Sequence, residues 1–169
     1  MAGQGAWSAE DEAAYAAFFL ENSVRVARTT YLVLRDWAAA EDVTQDAFVQ
    51  LYVHWRKVSR YDVPEAWVRR VAIRLARRFA QRERMRDVLS RRAQPPPAEL
   101  APADSDLEHA IAKLTPGQRA VVALYYFEDM SVADVAKTLQ CSQSSVKVSL
   151  HRARHALVQL LDTGVGGHD

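Results

Sequence analysis

Apolar residues recur at intervals of three and four positions along most of this chain of 169 residues. This spacing is typical of helices that bury one side, and no alternating run between turn residues predicts a strand. Glycine, which commonly marks turns, is sparse, and Gly117 is the only one between Ala6 and Thr163. We therefore expect an all-α protein.

The most regular part of this pattern covers residues 115–157 and predicts three helices. A helix should begin after Thr115, a short second helix after Ser131 and a third after Ser142, because each of these residues can cap a helix start. A tight turn at Gln140 joins the last two helices. This arrangement is a helix-turn-helix.

The third of these helices has an apolar side and a cationic side. Val146 and Leu150 fall on the inward side, while Lys147 and Arg152 fall on the outward side, and residues 143–161 contain no acid. A cationic helix of this kind fits the major groove of DNA. A solvated amphipathic helix is the alternative interpretation, and the capped helix and turn before it favour DNA binding.

In the first half of the chain the pattern predicts four helices. They should begin after Ser8, at Asn22 or Ser23, near residue 40 after a break at 36–40, and at Glu65 after a loop at 59–64. Trp67 belongs to the expected apolar stripe of the last of these helices.

A proline-rich segment divides the chain into two expected domains. Residues 89–104 include the run PPP and a further proline at Pro102, which is the composition of a stiffened linker. Domains of 8–88 and 105–161 follow, the second beginning with a helix capped by Ser105. The last residues, from Thr163, should form a frayed tail.

The net charge of +1 conceals an uneven distribution. Residues 1–64 carry 6 basic and 9 acidic side chains, residues 65–92 carry 10 and 3, and residues 93–169 carry 6 and 9. A basic block in an otherwise acidic chain indicates a polyanionic partner.

Several classes of function have no support in the sequence. Cys141 is the only cysteine, which excludes an internal disulfide and a cysteine zinc site. His151 and His155 lack a third ligand, so we expect no metal site, no cofactor and no enzymatic activity. The first residues lack the basic and apolar segments of a signal peptide, and no run of about 18 apolar residues occurs, so we expect no signal peptide and a cytoplasmic protein that does not associate with a membrane.

Three segments together resemble, in order and spacing, the extracytoplasmic-function sigma factors of bacterial RNA polymerase. They read DWAAAEDVTQDAFVQLYVHW from Asp36, PEAWVRRVAIRLARRF from Pro64, and LTPGQRAVVALYYFEDMSVADVAKTLQCSQSSVKVSLHRAR from Leu114. The likeness covers residues 13–160 and is greatest to small actinobacterial members. It implies a protein that binds core RNA polymerase, recognises the −35 and −10 promoter elements and directs transcription initiation.

The resemblance also implies roles for the two domains. The first would be sigma region 2, which docks on the clamp of the largest polymerase subunit and reads the −10 element as an unwound non-template strand. The second would be region 4, which reads the −35 element as duplex DNA and meets the flap of the second-largest subunit. An anti-sigma factor is a further partner that the family suggests.

The residues that match the family's functional positions form three groups. The polymerase-binding group is Asp42, Gln45, Asp46 and Phe48. The −10 group is Arg60, Tyr61, Asp62, Arg70, Arg74, Arg77 and Arg78. The −35 group is Gln143, Ser144, Ser145, Lys147, Val148, His151 and Arg152.

Several positions depart from the family's usual residues, among them Gln140, where the turn often has glycine. Val148 and Ser149 stand where serine and arginine are usual, and Arg74 and Arg78 stand where an asparagine and an acid are common. We therefore expect altered promoter preferences, because Val148 offers only apolar contact to bases. From the residues alone, a free-standing helix-turn-helix regulator that binds palindromic DNA as a dimer remains the alternative.

Overall fold

The computed structural model describes residues 7–86, 94–101 and 106–165, and within these ranges it is helical with no strand. The helices are α1 (Ala9–Leu34), α2 (Trp37–Val58), α3 (Pro64–Met85), α4 (Asp106–Ala112), α5 (Pro116–Val122), α6 (Val132–Leu139) and α7 (Gln143–Val165). A π-helical turn (Ala123–Phe127) continues α5, and a 3₁₀ turn (Ala98–Leu100) lies between α3 and α4. The all-α prediction is confirmed.

The N-terminal bundle consists of α1, α2 and α3, each of which packs on the other two. Ser8 starts α1 with a capping box, since its Oγ accepts from the Asp11 N–H at 3.0 Å. Pro64 occupies the first turn of α3, where its missing N–H costs nothing. The centre of the bundle contains Phe48 and Leu51 of α2, which are 2% and 0% exposed.

Two predicted interruptions in this bundle are wrong. No helix restarts at Asn22 or Ser23, because the Asn22 Nδ2 donates to the Phe18 carbonyl oxygen at 3.0 Å and so finds its partner inside α1. The predicted break at 36–40 is only the junction at Arg35 and Asp36. There Asp36 caps α2 by accepting from the Ala39 N–H at 3.2 Å, and the helix begins at once.

The C-terminal bundle consists of α4 to α7, with α4, α5 and α6 all packed on α7. Thr115 and Ser131 cap α5 and α6 as predicted, each accepting from the backbone N–H three residues later. The predicted cap at Ser105 lies outside the described residues. The predicted tail is wrong in its first residues, because α7 continues through Thr163 to Val165.

One apolar cluster crosses from one bundle to the other. Ile73 and Ala76 of α3 are both fully buried and belong to the same cluster as Leu124 and Leu139 of the C-terminal bundle. Helix α3 therefore buries one side in its own bundle and another against its neighbour. In the ranges that the structure describes, no helix has both the length and the apolar character to cross a membrane.

Candidate nucleic-acid interface

Helix α7 separates a buried side from an exposed one. Val146, Leu150 and Ala153 are 0%, 3% and 1% exposed and attach the helix to its bundle. All seven residues of the predicted −35 group are exposed on α7: Gln143, Ser144, Ser145, Lys147, Val148, His151 and Arg152. The structure therefore brings this group together on one accessible surface, with its cations among groups suited to base edges and phosphates.

The N-terminus of α7 belongs to this surface. Ser142 caps the helix by accepting from the Ser145 N–H at 3.1 Å, and its own hydroxyl donates to the Ser145 Oγ at 3.0 Å. The start of a helix carries a partial positive charge and suits a phosphate. The Ser145 hydroxyl accepts in this pair and keeps its own proton, so Ser144 and Ser145 can both donate to a phosphate.

Arg154 of α7 is positioned by its own bundle. Its Nε donates to the Tyr126 hydroxyl at 2.7 Å, and its guanidinium carbon lies 6.0 Å from the centre of that ring. The hydrogen bond to Tyr126 raises the pKa of Arg154 above its usual value. The Arg154 side chain is therefore held against Tyr126 and does not belong to the group of seven exposed residues described above.

A second cationic surface follows α3. Arg70, Arg74 and Arg77 are spaced three or four residues apart and so lie on one side of the helix. An Nη of Arg74 donates to the Gln50 Oε1 at 3.0 Å. Burial, and after it the neighbouring Arg78, lower the pKa of Arg74. So many guanidinium groups in one place favour an anionic ligand.

Two of these arginines have donors that no described group satisfies. The Nε atoms of Arg70 and Arg74 are buried and have no hydrogen-bond partner among the residues in the structure. A buried donor without a partner costs about 1 to 3 kcal/mol, so such an atom calls for an explanation. A strand of nucleic acid along α3 would contact the accessible parts of these guanidinium groups and would reach the Nε atoms only after a change of rotamer.

Arg77 and Arg78 point to the helix-turn-helix. An Nη of Arg77 donates to the Leu139 carbonyl oxygen at 2.8 Å, and an Nη of Arg78 donates to the Gln140 Oε1 at 2.9 Å. Both acceptors belong to the end of α6. The sequence contains no signal for these contacts, because they join residues 62 positions apart.

The loop between α2 and α3 is open to solvent. Arg60, Tyr61 and Asp62 are all exposed, with Tyr61 40% exposed. An accessible aromatic ring beside cationic side chains suits base stacking. Trp67 is partly buried against the N-terminal core, with its ring 5.8 Å from that of His54, in agreement with its assignment to the apolar stripe.

The predicted polymerase-binding group is divided by the fold. Asp42, Gln45 and Asp46 are exposed along α2. Phe48 is only 2% exposed, with its ring centre 4.8 Å from that of Phe19, so its prediction as a surface contact is wrong. It faces inward because it lies on the same side of α2 as the buried Leu51 and Trp55, three and seven residues later.

Sequence reasoning missed three apolar side chains on the same helix. Val49, Tyr52 and Val53 are 62%, 43% and 61% exposed. The ring of Tyr52 stacks on that of Trp7 near the surface, with the ring centres 4.0 Å apart. Exposed apolar residues beside acids are typical of a protein-binding surface, and the apolar segment 47–53 of α2, interrupted only by Gln50, contained that signal.

Known families match both parts of the chain. Residues 18–86 match the family described as "Sigma-70 region 2", and residues 104–157 match the family described as "Sigma-70, region 4". The chain is 31% identical over 144 residues to the RNA polymerase sigma-E factor of Streptomyces antibioticus, over 80% of this chain and 78% of that protein. It is 28% identical over 167 residues to the ECF RNA polymerase sigma factor SigK of Mycobacterium tuberculosis, over 90% and 88%.

Solved structures share the fold. The sigma factor RpoE of Bartonella quintana, in complex with the anti-sigma factor NepR, matches with a TM-score of 0.61 over 88% of this chain and 96% of that one, at 19% identity. CnrH, in complex with the cytosolic domain of CnrY, matches with a TM-score of 0.50 over 90% of each chain, at 25% identity. With both regions matched in order, this chain belongs to the extracytoplasmic-function sigma factors of bacterial RNA polymerase.

Proposed function

We propose that this sigma factor uses three separate surfaces: one binds the −35 element, one binds the −10 element and one binds core polymerase. As a member of its family the chain binds core RNA polymerase and promoter DNA, directs transcription initiation and is not an enzyme. The proposal concerns which residues perform each part. It also places the protein in the cytoplasm, where it works with the polymerase.

The exposed side of α7 is the surface proposed for the −35 element. Lys147 and Arg152 contact phosphates or base edges, and His151 offers a ring nitrogen to a base. Val148, 47% exposed, contacts an apolar group such as a thymine methyl. Each favourable side-chain contact with a base contributes about 1 to 3 kcal/mol of discrimination.

Helix α3 and the loop before it form the surface proposed for the −10 element. Tyr61 stacks on an unpaired base, and Arg70, Arg74, Arg77 and Arg78 bind the backbone of the non-template strand. The row of arginines beside the exposed ring of Tyr61 supports this assignment, because a strand presents phosphates to cations and bases to an aromatic ring.

The exposed side of α2 is the surface proposed for the polymerase clamp. Asp42, Gln45 and Asp46 supply its polar contacts, and Val49 and Val53 take the apolar part first predicted for Phe48. The C-terminal bundle meets the flap of the second-largest subunit. We further propose an anti-sigma factor as a partner, since RpoE was solved in complex with one.

The observation that carries the proposal is the presence of two unlike cationic surfaces on the two bundles. The first is the exposed side of α7, which suits the major groove of duplex DNA. The second is the row of arginines on α3 beside the exposed Tyr61, which suits a single strand. A symmetric dimeric regulator would need only the first.

Run-off transcription tests this assignment. Purified core polymerase is incubated with a library of promoter fragments, with and without the full chain. Specific initiation only with the chain, at fragments sharing two unlike elements, is the expected result. Binding to palindromic duplex without any effect on initiation would support the dimeric regulator and overturn the proposal.

A further inference from the structure

One side of α1 near its C-terminal end carries an aromatic ring between two cations. Arg28, Tyr31 and Leu32 are three and four positions apart, which places their side chains on the same side of the helix. Arg35 ends α1 in a left-handed conformation with a φ of 56°. Its guanidinium carbon lies over the Tyr31 ring, 4.8 Å from the ring centre. This end of α1 therefore presents both π and positive surface.

The start of α2 adds a second aromatic ring to this side. Trp37 is the first residue of the helix and is 7% exposed. Its ring centre lies 5.9 Å from that of Tyr31, and the two ring planes meet at 60°. Two rings at such an angle form a corner, and a planar aromatic ligand packs favourably against rings in offset or edge-to-face arrangements.

The linker covers this corner. The Trp37 N–H donates to the Gln94 carbonyl oxygen at 2.8 Å, which attaches the linker to the start of α2. Residues 95–97 are all proline, and such a run is extended and stiff. It leads to the 3₁₀ turn at Ala98–Leu100, where Leu100 is partly buried. The position of Leu100 is thus set by one hydrogen bond and a rigid spacer.

A cavity of about 360 Å³ lies between these elements. It is enclosed by the end of α1, the start of α2, the linker and the start of α4. Its apolar walls are Tyr31, Leu32, Trp37 and Leu100. Small-molecule sites typically have volumes of about 300 to 1,000 Å³ and apolar walls with a few charged groups, so the size and the lining both suit a small ligand.

The charged groups of this cavity leave one cation unmatched. The Arg35 Nη1 donates to the Glu108 Oε2 at 2.9 Å, and the two side chains are 23% and 24% exposed, so these charges offset one another. Arg28 also lines the cavity, and it forms no hydrogen bond or ion pair with any residue that the structure describes. A ligand with one anionic group would supply the partner of Arg28.

A neighbouring cavity shows that this charge pattern is specific to the first one. The second cavity, of about 220 Å³, shares Trp37 and Leu100 with the first. Glu41 is the charged residue that lines it, and no cation does so among the described residues. An anionic ligand would be repelled there and attracted to the first cavity, although both contain the same indole ring.

We propose that the cavity between α1 and the linker is a binding site for a small planar aromatic carboxylate. Its ring lies against Tyr31 and Trp37, and Arg28 holds its carboxylate group. The site goes beyond the three surfaces proposed above, since it gives the sigma factor a small-molecule ligand in addition to DNA and polymerase. Such a ligand contacts the N-terminal bundle and the linker together, so its binding stabilises this arrangement of the linker.

Fluorine NMR tests whether the site exists. The full chain, with fluorotryptophan in place of its four tryptophans, is titrated with β-naphthoate up to about 10 mM, and the Trp37→Phe variant identifies the Trp37 resonance. We expect this resonance to shift and to saturate with a Kd of about 1 mM or lower. The resonances of Trp7, Trp55 and Trp67, which belong to the core of the N-terminal bundle, should not shift.

A pair of variants tests the role of the unmatched cation. Arg28→Gln should bind β-naphthoate roughly fivefold more weakly than the parent, because an exposed charge contributes modestly to affinity. The control is Arg25→Gln, which makes the same change of charge at an exposed position of α1 outside the cavity and should bind like the parent. The neutral analogue β-naphthamide should bind the parent and Arg28→Gln equally.

Three outcomes would overturn this inference. An unmoved Trp37 resonance shows that the cavity takes no such ligand, and equal shifts of all four resonances show non-specific binding. Equal weakening in Arg28→Gln and Arg25→Gln shows attraction by net charge rather than by Arg28. Both arginines are exposed, so neither variant should alter the spectrum without ligand. The three promoter and polymerase surfaces are tested separately by transcription and do not depend on these results.

Discussion

The Arg119 Nε in α5 donates to the Val33 carbonyl oxygen near the end of α1, 2.7 Å away. The guanidinium also donates from Nη1 to the carbonyl oxygens of Leu114 and Ala112, the second at 3.4 Å. Arg119 is 6% exposed. Burial, and after it the charge of Arg35, lower its pKa to about 10. A cation of the C-terminal bundle thus satisfies carbonyl groups from both bundles.

Substitution of Arg119 by methionine should destabilise the chain. The three carbonyl groups lose their donor while most of the packing volume remains, and each unsatisfied buried polar group costs about 1 to 3 kcal/mol. Removal of a buried charge offsets part of this cost, so we expect a net loss of about 1 to 3 kcal/mol in urea unfolding. The control is Arg56→Met, which removes a partly exposed ion pair with Asp11 and should change stability by less than about 1 kcal/mol. Equal stability of the two variants contradicts the role of Arg119.

Substitution of Gln140 by glycine should stabilise the chain. Gln140 has a φ of 54°, a conformation that costs an ordinary residue about 1 kcal/mol and glycine almost nothing. The substitution also removes the hydrogen bond from Arg78 to the Gln140 side chain, but this bond is exposed to solvent and its loss offsets only part of the gain in stability. We expect a gain of about 0.5 to 1 kcal/mol by thermal or urea unfolding. The control is Lys137→Gly, at an exposed position inside α6, which should lower the free energy of unfolding by a similar amount. If both substitutions lowered the free energy of unfolding, the left-handed conformation of Gln140 would carry no strain.

Two neighbouring residues of α7 should affect −35 binding in different ways. Lys147→Ala should weaken binding to all sequences and lower the slope of log affinity against log salt by about 0.9, because one phosphate contact is lost. Val148→Ala should leave the slope unchanged and relax the preference at one base pair, where the apolar contact is lost. Titration of selected and scrambled duplexes at several salt concentrations measures both effects. Identical behaviour of the two variants contradicts the proposed orientation of α7.

Reversal of charge on α2 should weaken polymerase binding. Asp46→Lys changes an exposed acid within the proposed clamp surface, and we expect roughly fivefold or weaker affinity for core enzyme with a slower association rate. Glu12→Lys makes the same change at an exposed position in the first turn of α1, outside that surface. Fluorescence titration with labelled protein measures both. Equal affinities of the two variants would remove α2 from the docking surface.

Helix starts and the helix-turn-helix were predictable from sequence because their causes are local. Ser8, Thr115 and Ser131 form their caps with groups three residues away, and the seven residues of α7 are exposed because the helical period turns Val146, Leu150 and Ala153 to the core instead. The errors at Asn22 and Asp36 concern polar residues whose hydrogen bonds allowed either a break or a continuous helix. The spacing of apolar residues around Asn22 and Asp36 is the same whether the helix breaks there or continues, so the sequence pattern does not decide between the two.

The contacts between the bundles were not predictable because their partners are distant in sequence. Arg69 and Glu128 are 59 positions apart, and each belongs to a segment that is consistent with a solvated surface. Phe48 was misplaced for a different reason, since the family's functional positions do not distinguish a residue that supports a surface from one that is exposed on it. Burial decides between these cases, and burial requires the fold.

The most direct test of the account is run-off transcription from a randomised promoter library with three forms of the protein. The parent chain, Val148→Ala in α7 and Tyr61→Ala in the loop before α3 are each combined with core polymerase, and the sequences of the initiated fragments are compared. The account predicts two elements for the parent, a change only in the upstream element for Val148→Ala, and a change only in the downstream element for Tyr61→Ala. If both variants altered the same element, or if neither altered any, the division of promoter recognition between α7 and α3 would be contradicted.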